Sequence, residues 1–293
     1  MISIRPAMAA LLLLTTGQAW CNGLPAAAVE IRDALQRNDL EAAIEAGEAA
    51  TEGSQDARVW LWAGRAYGRQ AIEASLFTQP KWAGRTRDAW EKAVELDPNL
   101  LDARFDLIQY YLQAPGFLGG GQDKAQRQAD AIGQRDPALG KLAWSWLAMA
   151  EKNPSQAELL QREAHSLDPS STRIALALSS TLQRNEQWQA ARELWLARLQ
   201  QQPGDPLARY QLARLAAIRG EHIEEGLALI DAFIAAGEVP ENLSLGAAQW
   251  RRGQLLEKLG RLDEARAALR LGRADPSVRS LAEADLKRLG ARG

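Results

Sequence analysis

The chain has 293 residues, 46% hydrophobic and 25% charged, with a net charge of −2 and a pI near 5.9. That balance excludes wholesale disorder and removes any bulk attraction to nucleic acid or to anionic membranes. With Cys21 as the single cysteine, a disulfide framework is excluded as well.

At the N-terminus Arg5 gives a short positive start, 7–14 an apolar run, and Gly17-Gln18-Ala19 a small-x-small ending. This layout predicts a secretory signal peptide over 1–19, cleaved after Ala19 or, as second choice, a few residues later, and an apolar run too short to span a bilayer. Trp20 stands where a lipoprotein would need a small residue before Cys21, which argues against lipidation. The mature chain is therefore expected to be periplasmic or secreted, with no integral membrane segment left after cleavage.

Further along, Trp90, Ala93, Val94 and Leu96 recur at helical spacing, and Pro98 ends that helix because proline removes a hydrogen bond and clashes with the preceding turn. A second apolar face starts at once with Leu101, Phe105, Ile108 and Leu112, so the two helices must fold back on each other. Prolines read as helix ends recur at Pro137, Pro169, Pro203 and Pro276, at intervals of 39, 32, 34 and 73 residues, the last being two units of 34 plus five. A period near 34 residues marks a stacked helical array in which each unit buries its apolar face on its neighbours. No strand alternation is visible.

The residues in these slots carry a family resemblance. "WLWAGRAY" (60–67) resembles the first helix of a tetratricopeptide repeat, with Trp60, Ala63, Gly64 and Tyr67 in the large-apolar, small and aromatic slots. "RDAWEKAVELDP" resembles the second helix through Trp90, Ala93 and Pro98. The fullest copy is 172–205, with Leu178, Leu182, Trp188, Ala191, Trp195 and Pro203; Gly253, Gly260, Leu262 and Ala265 mark another, and 38–50 resembles the second half of a degenerate first one. The resemblance implies an all-α, right-handed superhelical solenoid of about seven helix pairs over 24–276. A C-terminal capping helix over 277–293 is expected to turn Leu281, Ala282, Leu286 and Leu289 inward.

Catalytic constellations are mostly missing. Gly116 and Gly121 in "GFLGGGQDK" are five apart, but Gln122 and Asp123 replace the lysine and hydroxyl of a phosphate loop, so a flexible turn is the better reading. His165 and His222 are the only histidines, and neither has metal-ligand spacing. No enzyme, no metal and no cofactor are expected.

Binding is the stronger class. The resemblance implies that the first helix of each pair lines a groove, where Phe105, Trp144, Tyr210 and Trp250 occupy one equivalent position. Arg58, Arg65, Arg69, Lys141, Arg214 and Arg251 lie on other slots of these helices. Aromatics and arginines are common interface anchors; the alternative is that the aromatics pack between adjacent first helices. The lysine–asparagine–arginine pattern of carboxylate-clamp arrays is not reproduced. Two surplus segments, 71–85 and 114–124, fall in consecutive units and read as inserted turns on one edge. They would bring together Phe77, Trp82, Phe117 and Leu118, with Lys81, Arg85 and Lys124 at the rim; alternatively the aromatics tuck back onto the array. The expected function is a protein–protein interaction scaffold in the cell envelope, taking a protein or peptide partner in the groove or along that edge, with no nucleic acid involved. An accessory subunit in envelope polymer export or cytochrome maturation is the alternative.

Overall fold

The computed structural model describes residues 23–237, 239–240 and 243–290. The expected signal peptide and Cys21 lie outside these residues. Among the described residues every regular element is helical, and the helices follow in pairs. They are α1 Ala26–Gln36 with α2 Leu40–Thr51, α3 Ala57–Glu73 with α4 Gln79–Leu96, α5 Leu101–Gln113 with α6 Gln122–Gly133, and α7 Pro137–Ala150 with α8 Pro154–Leu167. Then come α9 Thr172–Arg184 with α10 Trp188–Gln201, α11 Pro206–Arg219 with α12 Ile223–Ala236, α13 Leu245–Lys258 with α14 Leu262–Gly272, and a single α15 Arg279–Gly290. They form two compact units, one up to Leu178 and one from Ser179, the boundary falling within α9. Within each unit most consecutive helices pack on one another, and first helices also touch, as α1 with α3, α5 with α7 and α11 with α13.

Short polar residues set the helix starts. Asp39, Asp56, Asp136, Asn153, Asp205 and Ser244 each accept a hydrogen bond from a backbone N–H of the following first turn. Each such cap contributes about 1 kcal/mol. Pro98 follows the end of α4 as expected, but Pro137 opens α7 behind the Asp136 cap instead of closing α6. Proline suits that position because the first turn has no partner for its missing N–H.

Small residues let the helices of a pair approach. Trp90 of α4 lies over Gly64 of α3 and donates from Nε1 to the Leu61 carbonyl at 3.2 Å. A Cβ on Gly64 would sit 2.4 Å from that nitrogen, so only glycine fits under the ring. The core of the first unit gathers Trp90, Phe105, Ile108, Ile132, Leu142 and Leu147, all buried. That of the second unit gathers Ile230, Phe233, Leu255, Leu256 and Leu269.

The first surplus segment departs from the expected inserted turn. Instead, α3 runs for 17 residues and α4 for 18, and only 74–78 connects them. Ala83, Thr86, Ala89, Trp90 and Ala93 keep one helical stripe in phase through the added turns, so the extra residues bury apolar surface as helix rather than looping out.

The capping helix forms, with Val278, Ala282 and Leu289 buried, whereas Leu281 is 46% exposed and does not face inward. Asp285 clasps it to α13, accepting from Trp250 Nε1 at 2.8 Å and Gln254 Nε2 at 3.1 Å, and within the helix it accepts from Arg288 Nη2 at 2.8 Å. Burial works against the charge on Asp285, but the hydrogen bonds from Arg288, Trp250 and Gln254 outweigh it and hold the carboxyl below the usual carboxylate range. A carboxyl lowered in the folded state stabilises fully above its unfolded value of about 4 and loses that contribution as pH falls through the lowered one. Amide protection in 279–290 should therefore hold steady from pH 7 to about 4.5 and drop below pH 4. Asp285→Asn should start from weaker protection and remove the acid-linked step; an unchanged step in that variant would place its origin elsewhere.

Candidate functional site

The two surplus segments do meet. A cleft of about 50 Å³ is walled by Gly68 and Ala71 from the extended end of α3, Ala83 and Thr86 from the extended start of α4, Tyr110 from α5, and Pro115 and Leu118 beyond it. Gln79 closes one side by donating from Nε2 to the Ala71 carbonyl at 3.1 Å. The lining is almost wholly carbon. Its phenol, Tyr110, donates to the Leu118 carbonyl at 2.8 Å, and burial raises its pKa.

The glycine-rich loop, read from the sequence as a flexible turn between helices, is that turn and forms one wall of this cleft. Its centre is a short 3-10 turn, Gly116–Leu118, ended by Gly119 in the left-handed region at φ 87°. Gly120 packs so closely on Ala114 that a Cβ would stand 1.8 Å from the Ala114 carbonyl oxygen. Gly121 N–H donates to the Tyr111 carbonyl at 2.9 Å, Lys124 Nζ to the Gly119 carbonyl at 2.8 Å, and Arg87 Nη1 to the Leu118 carbonyl at 3.1 Å. Here the glycines serve close packing rather than motion.

The four aromatic and apolar edge candidates divide. Phe77 is 95% exposed and Phe117 82%, and Leu76, which the sequence reading passed over, is 78% exposed. Trp82 instead folds back: its ring centroid is 6.0 Å from that of Tyr67, with the Arg85 guanidinium 4.9 Å and the Lys81 ammonium 5.7 Å from it. Leu118 is part of the cleft wall. Arg85 is tied to Glu48 at 2.5 Å, while Lys124 lies 5.5 Å over the Tyr111 ring.

The groove candidates are mostly committed to packing. Phe105 has no exposed surface and sits 5.0 Å from Trp146, centroid to centroid. Tyr210 and Trp250 are buried, Tyr210 against Phe233 at 5.7 Å. Trp144 is half-buried against the first unit's core. Aromatics at this slot fill the space between adjacent helices, which takes Phe105 out of reach of any partner. Arg58 pairs with Asp56 at 2.6 Å, Arg69 with Glu73 at 2.8 Å, and Lys141 with Glu163 at 2.7 Å.

Arg65 belongs to a buried charge cluster. Its Nε lies 2.8 Å from Asp106 on α5, and its guanidinium 4.7 Å over Trp62. One turn earlier on α5, Asp102 pairs with Arg173, whose guanidinium lies 4.6 Å over Phe105. Burial raises the Asp106 carboxyl despite Arg65. For Asp102 burial also pushes upward, but the charges of Arg173 and Arg65 prevail and lower it. In the second unit Arg214 donates to Gln183 Oε1 at 3.0 Å, and Arg251 lies 4.0 Å over Trp250. Among the described residues no histidine, cysteine and carboxylate cluster could hold a metal, and no helix is long and apolar enough to cross a membrane.

No family model matches the chain, and no curated protein matches it. Solved structures do. A tetratricopeptide repeat protein from Parabacteroides merdae superposes with a TM-score of 0.51 at 14% identity, over 90% of this chain and 97% of that one. PilF of Pseudomonas aeruginosa gives 0.47 at 18% identity over 78% of this chain and 97% of its own, and MamA gives 0.41 at 18% over 60% and 94%. With the helix pairing described above, the first of these shows that the chain has the tetratricopeptide-repeat fold.

Proposed function

We propose that the chain is a protein-binding scaffold of the cell envelope that takes an apolar side chain of a partner protein into the cleft between α3, α4, α5 and the glycine-rich loop. The observation that carries this reading is the apolar cleft whose two walls also present Leu76, Phe77 and Phe117 to solvent. Covering a phenyl ring yields about 1.5–3 kcal/mol, so leaving two rings bare on adjoining segments forgoes stability that a partner recovers. A cavity of about 50 Å³ offers room for about four water-sized groups, the size of a leucine side chain. The envelope location rests on Arg5, the apolar run 7–14 and the Gly17-Gln18-Ala19 ending.

The experiment separates the rings. Phe77→Ala with Phe117→Ala should cut partner recovery from envelope extracts at least tenfold, about 1.4 kcal/mol, with Tm unchanged within about 2 °C. Trp82→Ala should lower Tm, since its ring packs on Tyr67. Intact recovery with a lowered Tm in the double variant would make Phe77 and Phe117 packing residues and end this reading. An intact Met1 in a cytosolic fraction would remove the envelope part.

A further inference from the structure

The second unit contains two arginines that the fold leaves without a counter-charge. Arg214 on α11 and Arg251 on α13 are both half-buried, on helices that touch. Arg214 Nη1 donates to Gln183 Oε1 at 3.0 Å and reaches Gln211 Oε1 at 3.5 Å; Arg251 Nη1 donates to Gln254 Oε1 at 2.8 Å. These acceptors are neutral amides, and the Tyr210 hydroxyl is a further hydrogen-bond partner of Arg251. Among the described residues neither arginine makes an ion pair, and the Nε of Arg251 is buried with no acceptor. Asp285, whose charge reaches Arg251, is already held by Trp250, Gln254 and Arg288. Burial first, and then the charge of Arg251, lower the pKa of Arg214, so the two cations repel each other in a partly dry setting.

The first unit shows how this chain settles such a cation when it serves packing alone. Arg65 has Asp106 at 2.8 Å, and Arg173 has Asp102. Two adjoining arginines kept without that provision are a cost to folding, and the acceptor missing from the fold is the kind a ligand brings. Guanidinium forks bind carboxylate and phosphoryl oxygens in pairs of parallel hydrogen bonds. We propose that Arg214 and Arg251 form an oxyanion-binding site on the first helices of the second unit, with Trp250 as the wall behind Arg251. This site is separate from the apolar cleft and stands or falls without it.

The test is thermal melting of the mature protein with sodium succinate or sodium phosphate, each against sodium chloride at matched ionic strength. One or both oxyanions should raise Tm by about 3–5 °C at a hundredfold excess over Kd, and which of them does so tells carboxylate from phosphoryl. Arg214→Gln and Arg251→Gln should each melt about 2 °C above the parent without anion, because the repulsion is relieved, and should lose the anion response. Lys141→Gln, which removes an exposed cation paired with Glu163, should change neither. A parent protein insensitive to both anions overturns the proposal. So do arginine variants that melt lower than the parent yet keep its response.

Discussion

Replacing Asp106 by alanine is expected to destabilise the first unit by about 3–5 kcal/mol, because it removes the carboxylate that pairs with Arg65 inside the fold. Arg65 is only 9% exposed and Asp106 5%. Their 2.8 Å contact joins α3 to α5 across 41 residues of sequence. With Asp106 gone the guanidinium keeps its burial and its place 4.7 Å over Trp62 but loses the carboxylate facing it. The matching double variant, Arg65→Met with Asp106→Leu, should recover most of the loss, since buried pairs exchanged for apolar groups of similar volume are close to neutral. Hydrogen exchange of the α3 to α6 amides reads both. A double variant no more stable than Asp106→Ala would mean that the pair itself, and not the cost of breaking it, holds these helices.

Trp195→Ala carries a comparable effect in the second unit, about 3–5 kcal/mol. The indole is fully buried and donates from Nε1 to the Ser179 hydroxyl at 2.8 Å, so its removal leaves a cavity and a buried hydroxyl short of one partner. Trp195→Phe keeps much of the volume and loses the hydrogen bond, and its cost should fall to about 1–2 kcal/mol. Urea unfolding followed by exchange protection in α10 and α11 distinguishes the two. Equal losses for alanine and phenylalanine would shift the weight from packing to the hydrogen bond.

Trp195 and Trp90 could be placed from the sequence because both sit in slots fixed by the repeat period, with a small residue and a proline at set distances. The period counts residues, however, and is silent on where a surplus goes. The ten extra residues around Trp82 read as a loop, yet they continue the Ala83–Thr86–Trp90 stripe and become helix. The groove aromatics stayed open for a related reason. A large ring at the slot of Phe105, Tyr210 and Trp250 satisfies a groove and an inter-helix gap equally well in sequence, and only packing decides. Charge pairing was the least legible feature. Arg65, Arg173, Arg214 and Arg251 look alike in sequence, while the Asp102 that settles Arg173 lies 71 residues away. The cleft became visible only when two segments, each unremarkable alone, were set against each other.

The pinned loop after α5 has a practical corollary for anyone who wants to label or interrupt the chain. Three consecutive glycines are a habitual choice for inserting a tag, a fluorophore or a protease sequence, and here that choice would fail. Gly120 has no room even for a methyl group against Ala114, and its neighbours hold Tyr111 and Lys124 in place. Added residues would pull Leu118 out of the cleft wall. The short 74–78 connection, with Ser75 and Thr78 exposed, looks the stiffer of the two on paper. A probe entering there leaves the cleft wall standing but alters the surface around Phe77.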